Sequence, residues 1–214
     1  MKKLVFVSLM MADRMEKKHF PVDGNVLIEY PGEVYYAINA VLAKTLKADD
    51  EVKVLLLETK AGEEAGCKNA KLFEDELNEI NASEKIGAKI EYETISSVFI
   101  TSKYKYNSLF MKLINNFKGE EELYADITFG PKSLPMVIFS ALQFGEKFYD
   151  CSIGNIIYLK TEFVKTEDGR QKIKEGSQLI CDYTPLYQLN SFITTMQSSS
   201  GEKAKKAFEI LFKK

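Results

Sequence analysis

The sequence predicts an α/β protein built on a doubly wound, mostly parallel sheet. Three observations carry that reading. Short runs rich in Val, Ile and Leu alternate with longer stretches of helical periodicity, the pattern of repeated βαβ units. The run at residues 3–11 (KLVFVSLMM) leaves no room for polar alternation, as expected of a central strand covered on both faces. Residues 123–145 (LYADITFGPKSLPMVIFSALQFG) then read as a buried strand, a tight turn and an apolar helix in direct succession.

Taken in order, the first strand is followed by a polar stretch and the segment HFPVDGNVLIEY. Asp23-Gly24 there suits a type I′ turn, so residues 14–32 are expected to form a hairpin insert and a candidate flap. From Glu33 the spacing of Val34, Ala37, Ile38, Val41 and Leu42 predicts a helix. Residues 51–57 give a second strand, and residues 67–86 a helix with Leu72, Phe73, Leu77 and Ile80 on one face. The acidic run Glu74-Asp75-Glu76 reads as its solvated side. Residues 88–95 form a shorter strand, and residues 106–117 an amphipathic helix. After the strand-turn-helix of residues 123–145, residues 155–164 and 177–181 flank a polar turn and predict an antiparallel hairpin at the sheet edge. Short and terminal helices follow at 186–195 and 203–212, the second striped by Ala204, Ala207, Phe208, Leu211 and Phe212. A domain over 1–196 with a C-terminal linker and amphipathic helix over 197–214 is the expected organisation.

Composition narrows the function. A net charge of −2 argues against a dedicated duplex-DNA binder, which carries a basic excess. The longest apolar runs, at 54–57 and 135–139, are far too short to span a bilayer, so no membrane partner is expected. Lys2-Lys3 precede only about eight apolar-rich positions before Asp13-Arg14, too few for a signal peptide, and a cytoplasmic location is expected. Cys67, Cys151 and Cys181 lie far apart, so neither a disulfide framework nor structural zinc is indicated. His19 is the one histidine, which removes multi-histidine metal sites. No metal or cofactor is expected, and G-x-G-x-x-G and G-x-x-x-x-G-K-[ST] are both absent.

Residues 123–145 carry the chemistry. Ser133 stands where a helix N-cap belongs, and Pro135 falls in the first turn, where a missing N–H costs little. Free N–H groups at a helix start, with Lys132 beside them, form a seat for phosphate. A lysine there is unfavourable against the helix dipole, which makes a functional role the better reading. Gly130 permits close backbone approach, Thr128 offers a hydroxyl, and Asp126 anchors the turn by hydrogen bonds. Tyr104 and Tyr106 alternate with Lys103 and Lys105, a pattern suited to base stacking with phosphate contact.

The run Asp126-Ile127-Thr128-Phe129-Gly130-Pro131-Lys132-Ser133-Leu134-Pro135 resembles the fourth-strand motif of the CARF family, the CRISPR-associated Rossmann-fold sensor domains. Val7-Ser8-Leu9, Leu57-Glu58-Thr59 followed by Lys68-Asn69, and Asp182-Tyr183-Thr184-Pro185-Leu186 fall in the family's order over nearly the whole chain. Met10-Met11-Ala12 replaces the usual Gly-Thr-Gly, and Phe129 and Lys132 stand where many members have His and Arg. The resemblance implies a Rossmann-like fold and a homodimer that binds cyclic tetra- or hexa-adenylate in type III CRISPR antiviral signalling. It implies ligand contacts from Ser8, Met10, Met11, Thr128, Phe129, Gly130, Pro131, Lys132 and Ser133. It leaves two activities open. One is metal-independent ring cleavage through the ligand's 2′-hydroxyl, with Lys132 and Ser8 as catalytic residues. The other is a non-catalytic sensor or interaction module, complete or part of a longer effector.

Overall fold

The computed structural model describes residues 1–10, 15–60, 68–98, 102–166 and 169–212. They are organised as the sequence predicts, a Rossmann-like α/β arrangement of a seven-stranded, mostly parallel sheet with helices on both faces. The strands are β1 (Lys2–Ser8), β2 (Val22–Asp23), β3 (Glu51–Lys60), β4 (Lys89–Val98), β5 (Glu122–Asp126), β6 (Ser152–Lys160) and β9 (Leu179–Asp182). Their order is β2-β9-β6-β5-β1-β3-β4, and a separate ribbon pairs β7 (Phe163–Lys165) with β8 (Gln171–Ile173). The helices are α1 (Ala37–Thr45), α2 (Lys68–Ser83), α3 (Lys103–Ile114), α4 (Leu134–Phe148), α5 (Thr184–Thr195) and α6 (Gly201–Leu211).

Central β1 pairs in parallel with β3 on one side and β5 on the other. Every residue from Lys3 to Ser8 is buried, as its unbroken apolar run requires. Alternate β-strand side chains then serve two cores. Val5, Val7, Val54 and Leu56 pack with Tyr36, Phe73 and Leu77 of the α1–α2 side. On the opposite face Phe6 meets Phe117, whose ring also contacts Phe144 of α4. Gly145 lets α4 come close there, since a Cβ at that position would lie 2.7 Å from Phe117 Cε1 and 3.0 Å from Leu123 Cδ1. At the N-terminal strand ends, buried Lys3 is held by Asp50, Glu122 and the Tyr124 hydroxyl.

Several expected elements are corrected. Asp23-Gly24 forms no hairpin. Val22 and Asp23 instead pair in parallel with Ile180 and Cys181 of β9, Gly24 takes φ +80°, and a single 3-10 turn follows at Val26–Ile28. A sheet edge with Ile180 to cover won over the local turn. The insert is closed by a bridge in which Lys18 and Val34 exchange both backbone hydrogen bonds. That bridge commits the Val34 backbone, so α1 starts at Ala37 rather than Glu33. Glu76 is not on a solvated face. It is buried, and its carboxylate accepts hydrogen bonds from Tyr35 N–H, Tyr36 N–H and the Asn39 side-chain amide.

The antiparallel pairing expected near the C-terminus is present between β6 and β9, but β6 also joins β5 in parallel and so lies inside the sheet. The chain divides into two compact units, Met1–Thr184 and Pro185–Lys214. In the second, Phe208 of α6 packs edge-on to Phe192 and stacks on Phe212. Among the described residues no helix is long and apolar enough to cross a membrane.

Candidate functional site

The chain runs outward from β1 through β3 to β4, then returns to place β5 on the other side of β1. Strand order therefore reverses between β1 and β5, and in such sheets ligands sit outside the carboxyl ends of the strands at that reversal. The end of β1, with Ser8, and the turn after β5, with residues 128–133, meet at this point. Residue by residue, the turn after β5 is fastened on both sides. The Ser8 hydroxyl of β1 donates to the Asp126 carbonyl at 2.7 Å and accepts the Phe129 N–H at 3.1 Å. On the other flank the Thr128 hydroxyl accepts the Leu159 N–H of β6 at 2.9 Å. Asp126 Oδ1 closes the turn by accepting the Thr128 N–H, also at 2.9 Å.

Gly130 takes φ +88°, a left-handed conformation, and a Cβ there would lie 2.9 Å from Leu134 Cδ2. Pro131 accepts the Leu134 N–H through its carbonyl, winding the chain into α4. Ser133 occupies the N-cap position, yet its side chain makes no capping bond. The reason is local. Its φ, ψ of −81°, −20° are already helical, whereas a capping side chain needs an extended backbone. Pro135 also removes one of the donors a cap would serve. The Met136 N–H is left without a backbone partner among the described residues. Beside it Lys132 is exposed and makes no ion pair among the described residues.

The remaining candidates divide by burial. Ser8 is fully buried with its hydroxyl proton committed, so it holds the turn in place. Thr128 does the same toward β6. The Phe129 ring lies edge-on to Tyr36 at 6.1 Å and packs against the α1–α2 core. Half-buried Met10 has its carbonyl fixed by the Asn69 side-chain amide of α2 at 2.6 Å, which gives the Lys68-Asn69 landmark a structural meaning. Met11 and Cys67 lie outside the described residues. Lys132, Gly130 and Pro131 form the outer surface of the turn.

No family model matches the chain. A curated relative does. The CRISPR-associated protein MJ1674 of Methanocaldococcus jannaschii is 26% identical over 88 residues. That stretch is 41% of this chain and 13% of the relative. The likeness is distant and partial, and it ties the chain to CRISPR-associated proteins at that level.

The electrostatics of the switch point are uneven. Asp126 is fully buried, and burial pushes its carboxyl from 3.8 up to about 6, against the hydroxyl and N–H of Thr128, which favour the charged form. Its Oδ2 has no hydrogen-bond partner among the described residues. The turn instead exposes the Lys132 cation, and the Met136 N–H in the first turn of α4 lacks a backbone partner among the described residues. α3 also begins at this end of the sheet, capped where Ser102 accepts the Lys105 N–H, with Tyr104 exposed and Tyr106 half-buried on its first turn. His19 lies in the insert, 3.6 Å from Glu29. A cleft of about 400 Å³ opens at the opposite ends of β1, β3 and β4. Five lysines and three glutamates line it, of which Lys3 is paired with Asp50 and Glu122 and Lys53 with Glu93. The C-terminal ends of β1 and β5, in contrast, lie where strand order reverses, the position ligands take in such sheets.

Proposed function

We propose that this protein is a receptor for cyclic oligoadenylate in type III CRISPR signalling. The observation that carries the reading is the turn at the reversal of strand order. It is pinned between β1 and β6, exposes Lys132, and leads into an α4 whose Met136 N–H has no backbone partner among the described residues. Backbone donors with one cation suit the phosphodiester of a small ligand better than a long duplex. The resemblance of residues 126–135 to the CARF motif and the CRISPR-associated relative both support this class of ligand. A homodimer with two such turns about a two-fold axis matches the symmetry of a cyclic tetra- or hexa-adenylate. Titration calorimetry with both rings tests the reading. Submicromolar binding of one ring, lost in Lys132→Ala with the fold intact, is the expected result. No heat with either ring would remove the proposal.

The exposed ammonium of Lys132 supports one further step at the same turn. The ligand's 2′-hydroxyl attacks the adjacent phosphorus, the 5′-oxygen leaves and takes up a proton, and a 2′,3′-cyclic phosphate remains. Lys132 would stabilise the negative charge that develops on the phosphoryl oxygens. Ser8 would act by holding the turn. Incubation of each ring with stoichiometric protein in EDTA, followed by chromatography, separates the activities. Linear products make the protein a ring nuclease, and an intact ring makes it a sensor.

A further inference from the structure

The ribbon β7–β8 buries almost nothing in its own unit. All three residues of β7 are exposed, with Phe163 60% and Val164 43% open to solvent. Two isolated strands are marginal in water, so an exposed pair of this kind needs a partner surface. Its position says which one. The Leu159 N–H bonded to Thr128 lies four residues before Phe163, at the end of β6 beside the turn. The base of the ribbon is clasped there, since Lys174 donates to the Glu162 carbonyl and carboxylate while Ser177 accepts the Glu162 N–H. At about 3.3 Å per residue, β7 reaches roughly 10 Å beyond that clasp.

The two faces of the ribbon differ. Phe163 and Lys165 are two residues apart on one strand and therefore share a face, opposite Ile173 and Gln171. Val164 and Lys172 pair on the other face. Neither Lys165 nor Lys172 makes an ion pair among the described residues. An exposed aromatic ring with a free cation beside it is the arrangement that binds single-stranded nucleotides, the ring stacking on a base and the cation meeting the phosphate. We propose that the Phe163–Lys165 face of the ribbon is a second contact surface for the oligonucleotide bound at the Lys132 turn. This rests on the proposed nucleotide ligand and adds to it an exposed aromatic ring, whereas Phe129 of the turn packs against the α1–α2 core.

Calorimetric titration of cyclic tetra- and hexa-adenylate into the full chain, at several salt concentrations, tests it with surface variants. Phe163→Ala is expected to weaken binding about 10-fold or more. Lys165→Ala is expected to weaken it and to lower the slope of log affinity against log salt by about 0.7, the loss of one phosphate contact. Lys172→Ala, on the opposite face, is the control and keeps wild-type affinity. Wild-type affinity in both Phe163→Ala and Lys165→Ala, with Lys132→Ala still defective, overturns the ribbon and leaves the turn in place. The same outcome overturns it even where Phe163→Ala alters self-association. Absence of binding by the wild-type chain removes both proposals.

Discussion

Ser8 and Asp126 show how much of this end of the sheet depends on single polar atoms. With one hydroxyl Ser8 satisfies a carbonyl and an N–H that lie about 120 residues away in sequence. Ser8→Ala leaves the Phe129 N–H without that acceptor, and a lost partner of this kind costs on the order of 2 kcal/mol. A lowered urea midpoint is the expected outcome, and an unchanged midpoint would show that the turn is held by other means. Asp126 behaves in the opposite sense. Its carboxyl binds a proton more tightly folded than unfolded, because burial has raised it from 3.8 to about 6. Its share of the stability is thus present at low pH, falls as pH rises from about 4 to 6, and stays lost above. The size is on the order of 3 kcal/mol. Asp126→Asn removes the titration while keeping an oxygen for the Thr128 N–H. Melting temperatures across pH 4.5 to 7 should therefore decline more steeply in the wild-type protein than in the variant. Equal slopes would take the Asp126 carboxyl out of that window. Sequence alone assigns Asp126 an anchoring role and Ser8 a ligand role. The Asp126 partner, Thr128, lies two residues on and is legible locally, whereas Ser8 meets partners from a strand distant in the chain, which no local pattern reveals.

Elements are legible where local pattern and tertiary demand agree. The periodicity of α4 and the apolar stretch of β1 survive because each is buried by the neighbours its own pattern requires. The insert misleads because Asp23-Gly24 has strong local turn chemistry, while the β9 edge that captures Val22 is formed some 150 residues later. Ser133 is a milder case, in which the right position carries no capping bond because the backbone has already turned helical. Glu76 misleads for a related reason. Three consecutive acidic residues look solvated, but helical spacing turns one of them inward, toward the N–H groups that precede α1. Those groups and the Asn39 amide give its carboxylate three donors. Glu76→Ala should cost on the order of 3 kcal/mol, since it leaves buried donors without their charged acceptor. Chemical denaturation measures this. Loss of less than a few tenths of a kcal/mol would show that solvent replaces the carboxylate. Glu76→Gln, which keeps an acceptor, should recover part of the loss.

At the scale of the whole molecule, the alternation of strands and helices is enough to read the fold class, but not the strand order. The position of β5 beside β1 is set by packing and by the crossover, and no single residue announces it. The paired-turn proposal makes a prediction here, a calorimetric ratio of about one ring for two chains. One ring per chain would rule out a shared two-fold pocket. The same topology bears on how the protein is made. Strand β1 is made before both its partners and gains β3 as a neighbour within about fifty residues, but its other edge waits for β5. At ~5–20 residues per second that interval is several seconds or more. During it the apolar stretch of β1, residues 4–7, keeps one edge unpaired, an exposure that pairing with β5 ends. The seat proposed for the ligand exists only after Leu159 has emerged to receive Thr128, about 150 residues after the Ser8 that holds its other side.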